Sequence, residues 1–284
     1  MKKIKVQAPA KINISLDIVN CREDGYHDLE SIMHAISLYD YLTVTIEDCN
    51  GINIELSGNS DEIPYDSSNL VWKAAEKFFM AADISDCKLS VYIEKNIPVA
   101  AGLAGGSTDA AAILFALNKL YNEILDDIKI NEICASLGSD LNFCLKGGCA
   151  VCTSRGETIQ PIPSLSLPVS IIKPKDLKIS AKEAFQAYDA FKNKECKYST
   201  KALIPLISKG QTDESLMHND LELPLRHKYD DVNNMKNNIK HSFMSGSGPV
   251  FFVFADKFDM NFDSEKFIVH ENLRTISDGI KIVE

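Results

Sequence analysis

The stretch PVAAGLAGGSTDAAA, from Pro98 to Ala112, sets three glycines (Gly102, Gly105 and Gly106) ahead of a run of alanines. Glycine lets backbone approach a ligand where a Cβ would collide, and successive N–H groups in such a loop converge on one anion. Ser107 and Thr108 are suited to cap the helix predicted from Asp109 to about Tyr121. That helix is apolar on nearly every face (Ala110, Ala111, Ala112, Ile113, Leu114, Phe115, Leu117, Leu120), so it is expected to be buried with its N-terminus aimed at the loop. A helix N-terminus with free N–H groups binds anions. The glycines alone equally suit a tight turn ahead of a core helix. Neither G-x-G-x-x-G after a strand nor G-x-x-x-x-G-K-[ST] occurs, so neither familiar nucleotide loop accounts for them.

Around this loop, 284 residues with 45% apolar content allow one large domain or two of ordinary size. A net charge of −10 argues against nucleic acid as a partner, since phosphate contacts need a basic surface. Small anions need only local positive charge. Eight cysteines lie scattered at 21, 49, 87, 134, 144, 149, 152 and 196. Without a secretory signal they read as reduced thiols of a cytoplasmic protein. Cys149 and Cys152 form one C-x-x-C, but no second Cys or His pair stands at zinc-site spacing, and GGCAVCTS reads as a strand after a Gly-Gly turn. No apolar run reaches the length of a membrane span.

The first part is rich in strands: KIKVQAP, KINISLDIV, YLTVTIED, INIELSG and KLSVYIEKNIP carry the alternation of half-buried β-structure. Between the last two, Ser68 to Ala82 has helical spacing, with Leu70, Val71, Ala74, Ala75, Phe78 and Phe79 on one face. After the loop and its helix, a helix near Asn131 to Leu137 leads through GSD to FCLKGGCAVCT, read as strand. Pro161, Pro163 and Pro168 mark a boundary. Beyond it come a strand (VSIIKP), helical stretches near Lys182 to Phe191 and Thr200 to Ser208, and two strands about the turn in HSFMSGSGPVFFVFA. The order is α+β, with an N-terminal domain over 1–160 and a C-terminal domain over 161–284.

Phosphoryl transfer needs a cradle for the polyphosphate, positive charge on the transferring group, and an oriented hydroxyl with a proton acceptor. Asp140, in ASLGSDLNF, reads either as a turn residue or as a carboxylate held at a cleft, ionised at neutral pH. Lys11, between apolar neighbours in APAKINISLD, reads either as a solvent-facing cation or as a buried charge. Lys95 reads as exposed or as a phosphate contact, and Gly246, Ser247 and Gly248 as a plain hairpin or a flap over a ligand.

The loop resembles that of the GHMP kinases, the superfamily of galacto-, homoserine, mevalonate and phosphomevalonate kinases. Its pattern runs approximately P-x-x-x-G-L-[GA]-[GS]-S-[SA]-[DA]-A, and Pro98, Gly102, Leu103, Ala104, Gly105, Gly106, Ser107, Thr108, Asp109 and Ala110 stand along it here. The resemblance implies an N-terminal ribosomal-protein-S5-domain-2-like lobe, a C-terminal ferredoxin-like α/β sandwich and an active site in the cleft between them. It assigns ATP to Pro98, Val99, Ala100, Ala101, Gly102, Leu103, Ala104, Gly105, Gly106, Ser107 and Thr108. Lys11 and Asn13 match P-[AG]-[KR]-x-N, which implies Lys11 and Asp140 as the catalytic pair and Asn13 as a substrate contact. Mg²⁺ is expected with ATP, held by phosphates and water with help from Ser107, since no acidic cluster forms a dedicated cage.

The segment REDGYHDLESIMHAISLYDYL, Arg22 to Leu42, is similar to the N-terminal signature of the 4-diphosphocytidyl-2-C-methyl-D-erythritol kinase family, and MHNDLELP extends the likeness. The implied acceptor is a cytidine diphosphate-linked methylerythritol, phosphorylated at its 2-hydroxyl. Tyr26 offers a ring face for cytosine, His27 polar atoms for its edge, and Phe185 a second aromatic completing a sandwich. Homoserine and mevalonate kinases lack this pocket, and a non-catalytic nucleotide sensor would have no use for both Lys11 and Asp140. The chain departs from the family at Ala104, Thr108, Asn142, Arg155 and Ala181.

Overall fold

The computed structural model of the chain describes residues 1–192 and 200–284, and Cys196 lies outside the described residues. In chain order the first half holds β1 (Lys2–Cys21), β2 (His27–Glu47), β3 (Ile52–Gly58), α1 (Leu70–Ala81), β4 (Cys87–Glu94), α2 (Gly105–Leu120), α3 (Asp127–Leu137), α4 (Leu141–Lys146), β5 (Cys149–Ser154) and β6 (Thr158–Ile162). The second half holds β7 (Pro168–Pro174), α5 (Ala181–Ala190), α6 (Thr200–Ile207), α7 (Glu222–Lys228), α8 (Asp230–Asn238), β8 (Phe243–Met244), β9 (Phe251–Val253), β10 (Phe267–Arg274) and β11 (Lys281–Ile282).

Two sheets organise these elements. The first runs β11-β1-β2-β4-β3, with the β5–β6 hairpin added along the start of β2. The alternation in Leu42, Val44 and Ile46 turns one face of β2 inward, against α1 and α2. Ala110 to Leu114 are all fully buried, so the middle of α2 is enclosed on every side, as its composition requires. The second sheet runs β10-β7-β9-β8. One face, with Ile172, Phe251 and Val253, packs on Ala184, Leu225, Val232 and Met235 of α5, α7 and α8. The opposite face contributes Val169, Ile171 and Phe252 to a cluster that also holds Ala10, Ile12, Ile14, Ile32, Ile36 and Leu103 from the first half. The α+β architecture follows the pattern read from the sequence.

Three local expectations are corrected. KIKVQAP and KINISLDIV form a single strand, bent by irregularities at Pro9/Ala10, Asn13/Ser15 and Ile18/Asn20. Leu141–Lys146 is a helix, with strand structure resuming only at Cys149, because Leu141, Phe143 and Cys144 are buried from a helical turn that starts directly at Asp140. The loop helix begins at Gly105, four residues ahead of expectation. Pro161 still belongs to the first sheet through β6, Pro168 opens the second, and β11 returns to pair with β1 through Val6 and Gln7.

Candidate active site

The loop from Pro98 to Thr108 is shaped by alternating backbone handedness. Ala100, Gly102 and Ala104 have φ of 50°, 74° and 59°. Left-handed residues spaced this way turn intervening N–H groups toward one side, a concavity suited to an anion. Ala104 caps α2 without any side-chain bond, and the first amide satisfied inside the helix is that of Thr108, donating to the Ala104 carbonyl at 2.8 Å. The N–H groups of Gly105, Gly106 and Ser107 precede it and have no acceptor within the helix. Ser107 and Thr108 therefore do not cap the helix; they lie within its first turn, with Thr108 fully buried.

Beneath the loop, Lys95 is not exposed but faces two carboxylates. Its side chain is 5% accessible, and Nζ pairs with Asp109 Oδ2 at 2.8 Å and with Asp40 Oδ2. Asp40 Oδ1 also accepts the amides of Asn96 and Ile97, at 2.6 and 2.9 Å. A Cβ added at Gly105 would come within 3.1 Å of Lys95 Nζ. The buried triad thus fastens the start of α2 to β2 and fixes where its N-terminus points. Burial pushes the Asp109 carboxyl up to about 7, against the pull of the Lys95 ammonium.

Beside the loop, β1 presents a polar row. Lys11, Asn13, Ser15 and Asp17 occupy alternate positions and all are buried. Lys11 Nζ donates to Asn13 Oδ1 at 2.6 Å and stands 3.6 Å from Asp140 Oδ2. Asn13 Nδ2 donates to Ser31 Oγ at 2.8 Å, which orients its oxygen toward the lysine. Asp140 occupies the cap position of α4 without capping it, so its carboxylate stays available.

The glycine turn of residues 246–248 closes against these groups. A Cβ on Gly246 would lie 3.1 Å from Lys11 Nζ and 3.2 Å from Asn13 Oδ1, and one on Gly102 only 2.1 Å from the Ser245 carbonyl. Ser245 Oγ donates to the Gly102 carbonyl at 3.0 Å and accepts the Asn13 amide at 3.2 Å. Asn219 Nδ2 donates to the carbonyls of Met244 and Gly246, at 2.9 and 2.8 Å. Three segments far apart in sequence therefore meet at one point. Ser31, Ser245 and Asn219, which fasten them, carry no signal in the sequence beyond the motifs that contain them.

At the tip of the β1–β2 hairpin Tyr26 is 57% exposed, and the Arg155 guanidinium lies 5.4 Å from its ring centroid. His27 is buried, with Nε2 2.8 Å from Asp189 Oδ1. Phe185, expected opposite Tyr26, instead stacks on His27 at 4.9 Å with 17° between the rings. The imidazole takes that face because the Asp189 bond, from the same helix, draws it against α5. Cys149 and Cys152 are buried free thiols, each pushed up to about 12 by burial, unsuited to redox chemistry. No described helix is long and apolar enough to cross a membrane.

A helix N-terminus with free amides, a buried lysine beside a partly exposed aspartate and a glycine turn closing on both are the parts of a small-molecule kinase of the GHMP fold. Residues 69–150 match the GHMP kinases N terminal domain. A solved 4-(cytidine 5'-diphospho)-2C-methyl-D-erythritol kinase superposes with a TM-score of 0.73 at 28% identity, covering 89% of this chain and 90% of that one. Homoserine kinase from Cytophaga hutchinsonii shares the fold, with a TM-score of 0.67 at 18% identity over 100% and 98% of the two chains. The 4-diphosphocytidyl-2-C-methyl-D-erythritol kinase of Clostridium perfringens is 38% identical over 89% of each chain. That of Caldicellulosiruptor bescii is 36% identical over 97% of this chain and 99% of its own. The chain belongs to the 4-diphosphocytidyl-2-C-methyl-D-erythritol kinase family.

Proposed function

We propose that this chain transfers the γ-phosphoryl group of ATP to the 2-hydroxyl of 4-diphosphocytidyl-2-C-methyl-D-erythritol, a step of the non-mevalonate route to isoprenoid precursors. The observation that carries the reading is the approach of Lys11 and Asp140 to 3.6 Å, beside the glycine turn that touches the phosphate loop. Asp140 accepts the proton of the 2-hydroxyl as its oxygen bonds to the γ-phosphorus and the bond to the departing ADP oxygen breaks. Lys11, oriented by Asn13, stands beside Asp140 and polarises the hydroxyl. The amides of Gly105, Gly106 and Ser107 hold the phosphates at the positive end of α2, and the loop from Pro98 to Thr108 forms their cradle. The lobes 1–160 and 161–284 place ATP and acceptor between them.

Magnesium fits the donor set. Ser107 offers one oxygen in the cradle, and this cation keeps most of its waters and leans on substrate phosphates. When bound it neutralises charge on the phosphate oxygens.

The test is ADP release with Mg-ATP and, in parallel, the cytidine compound, homoserine, mevalonate and no acceptor. Turnover confined to the cytidine compound is expected. Turnover with another acceptor would overturn the pocket assignment, and silence with all four would favour a nucleotide sensor. Tyr26→Ala is expected to raise KM for the cytidine acceptor about 3- to 10-fold, the worth of one aromatic stack, with KM for ATP unchanged. Normal binding of both ligands by that variant would remove Tyr26 from the pocket.

A further inference from the structure

The acceptor reading just given fixes the two ends of the substrate but not what holds its middle. With cytosine at Tyr26 and His27 and the reacting hydroxyl at Asp140, the diphosphate bridge must pass between the hairpin tip and the start of α4. The turn joining β5 to β6 spans that interval. On one side, the Arg155 guanidinium lies over the Tyr26 ring at 5.4 Å. On the other, a Cβ at Gly156 would rest 3.5 Å from Ser139 Cβ, next to Asp140, and Asn142 Nδ2 donates to the Glu157 carbonyl at 3.4 Å.

We infer that Arg155 binds the diphosphate bridge of the acceptor and is a specificity-determining residue of this site. The inference rests on the acceptor reading above. Arg155 is presented by a fixed turn: Ser154 and Gly156 have φ of 63° and 115°, and the Gly156 amide donates to the Thr153 carbonyl at 3.0 Å. Its side chain is 34% exposed, open to a ligand yet anchored, with Nε donating to Glu157 Oε1 at 3.3 Å. That bond engages Nε and leaves the two terminal amino groups of the fork, the geometry that matches phosphate oxygens in pairs. Asp24 stands close enough for its carboxyl to be lowered, chiefly by Arg22 but also by Arg155. Without the arginine, Asp24 and Glu157 would meet a dianionic bridge with no cation between. Arg22 cannot substitute, since it is tied to Asp24 and Asp28 at 3.1 and 3.3 Å.

The experiment measures binding of cytidine, CMP and CDP to the wild type, Arg155→Ala and Arg155→Lys, with the ATP site saturated by a non-hydrolysable analogue. Wild type is expected to prefer CDP over cytidine. In Arg155→Ala, CDP affinity should fall on the order of 10- to 100-fold, the loss of a charge-assisted contact, while cytidine affinity holds within about 2-fold. Arg155→Lys should recover part of the CDP affinity, because a point charge replaces the fork. KM for the full acceptor should rise with kcat and KM for ATP unchanged. Equal losses for cytidine and CDP would mean that Arg155 merely props Tyr26, and the inference would fail while the acceptor reading stood. Wild type that binds none of the three compounds would instead bring down the acceptor reading itself.

Discussion

Asp140→Ala should lower kcat roughly 10²- to 10⁴-fold, the range set by removing a general base, and leave KM for ATP within about 2-fold. The carboxylate pairs with Lys11 and holds no element of the fold in place. It caps no helix, α4 is retained through the Asp140 carbonyl accepting the Cys144 amide at 2.9 Å, and its side chain is 29% exposed. A partly solvated ion pair of this kind contributes only about 0–1 kcal/mol to stability, so the thermal midpoint should barely move. Lys11 keeps Asn13 as partner and stays in place. Steady-state ADP release as a function of each substrate separates the effects. A kcat within about tenfold of wild type would show that the acceptor proton leaves by another group.

Lys95→Met is expected to produce the largest loss of stability, about 3–5 kcal/mol, because it leaves two buried carboxylates without their shared cation. Asp40 and Asp109 are both essentially enclosed, so water cannot take the place of the ammonium. The loss should also depend on pH. Asp109 already has a carboxyl raised to about 7 by burial, and removing Lys95 removes the main influence pulling it down. A carboxyl raised on folding stabilises fully below its unfolded value and loses that contribution as pH rises through its folded value. In the variant this loss continues further above neutrality than in the wild type. The gap in thermal midpoint should therefore be wider at about pH 8.5 than at about pH 6. Equal midpoints, or a gap that narrows with rising pH, would contradict the account of the triad. KM for ATP should rise as well, since the triad holds the start of α2, where the proposed phosphate cradle lies.

What could be read from the sequence was what local pattern encodes. The glycines at 102, 105 and 106 announced a loop ahead of a buried helix, and the apolar face from Leu70 to Phe79 announced α1. Lys95 misled because its partner Asp40 lies 55 residues away, and no periodicity links a lysine before a glycine loop to an aspartate in a distant strand. Ser107 and Thr108 looked like caps because they are capping residues, yet Ala104 ends the loop by adopting a conformation that alanine seldom takes. The segment after Asp140 has strand-like composition but too little length for periodicity to discriminate, and packing decided for a helix. Phe185 was expected to form a sandwich with Tyr26, and its stack on His27 goes with the His27–Asp189 bond, an interaction between two side chains that no motif contains.

The cluster joining Ile12, Ile14, Ile32 and Leu103 to Val169, Ile171 and Phe252 makes one apolar interior out of residues on both sides of the prolines at 161–168. An apolar seam of that kind resists the hinge motion that is usual between lobes of one chain. It also couples their denaturation: neither half can expose its share without exposing the other's. Heating should melt the molecule in a single cooperative step, and hydrogen exchange at Ile12 and at Phe252 should report the same opening event.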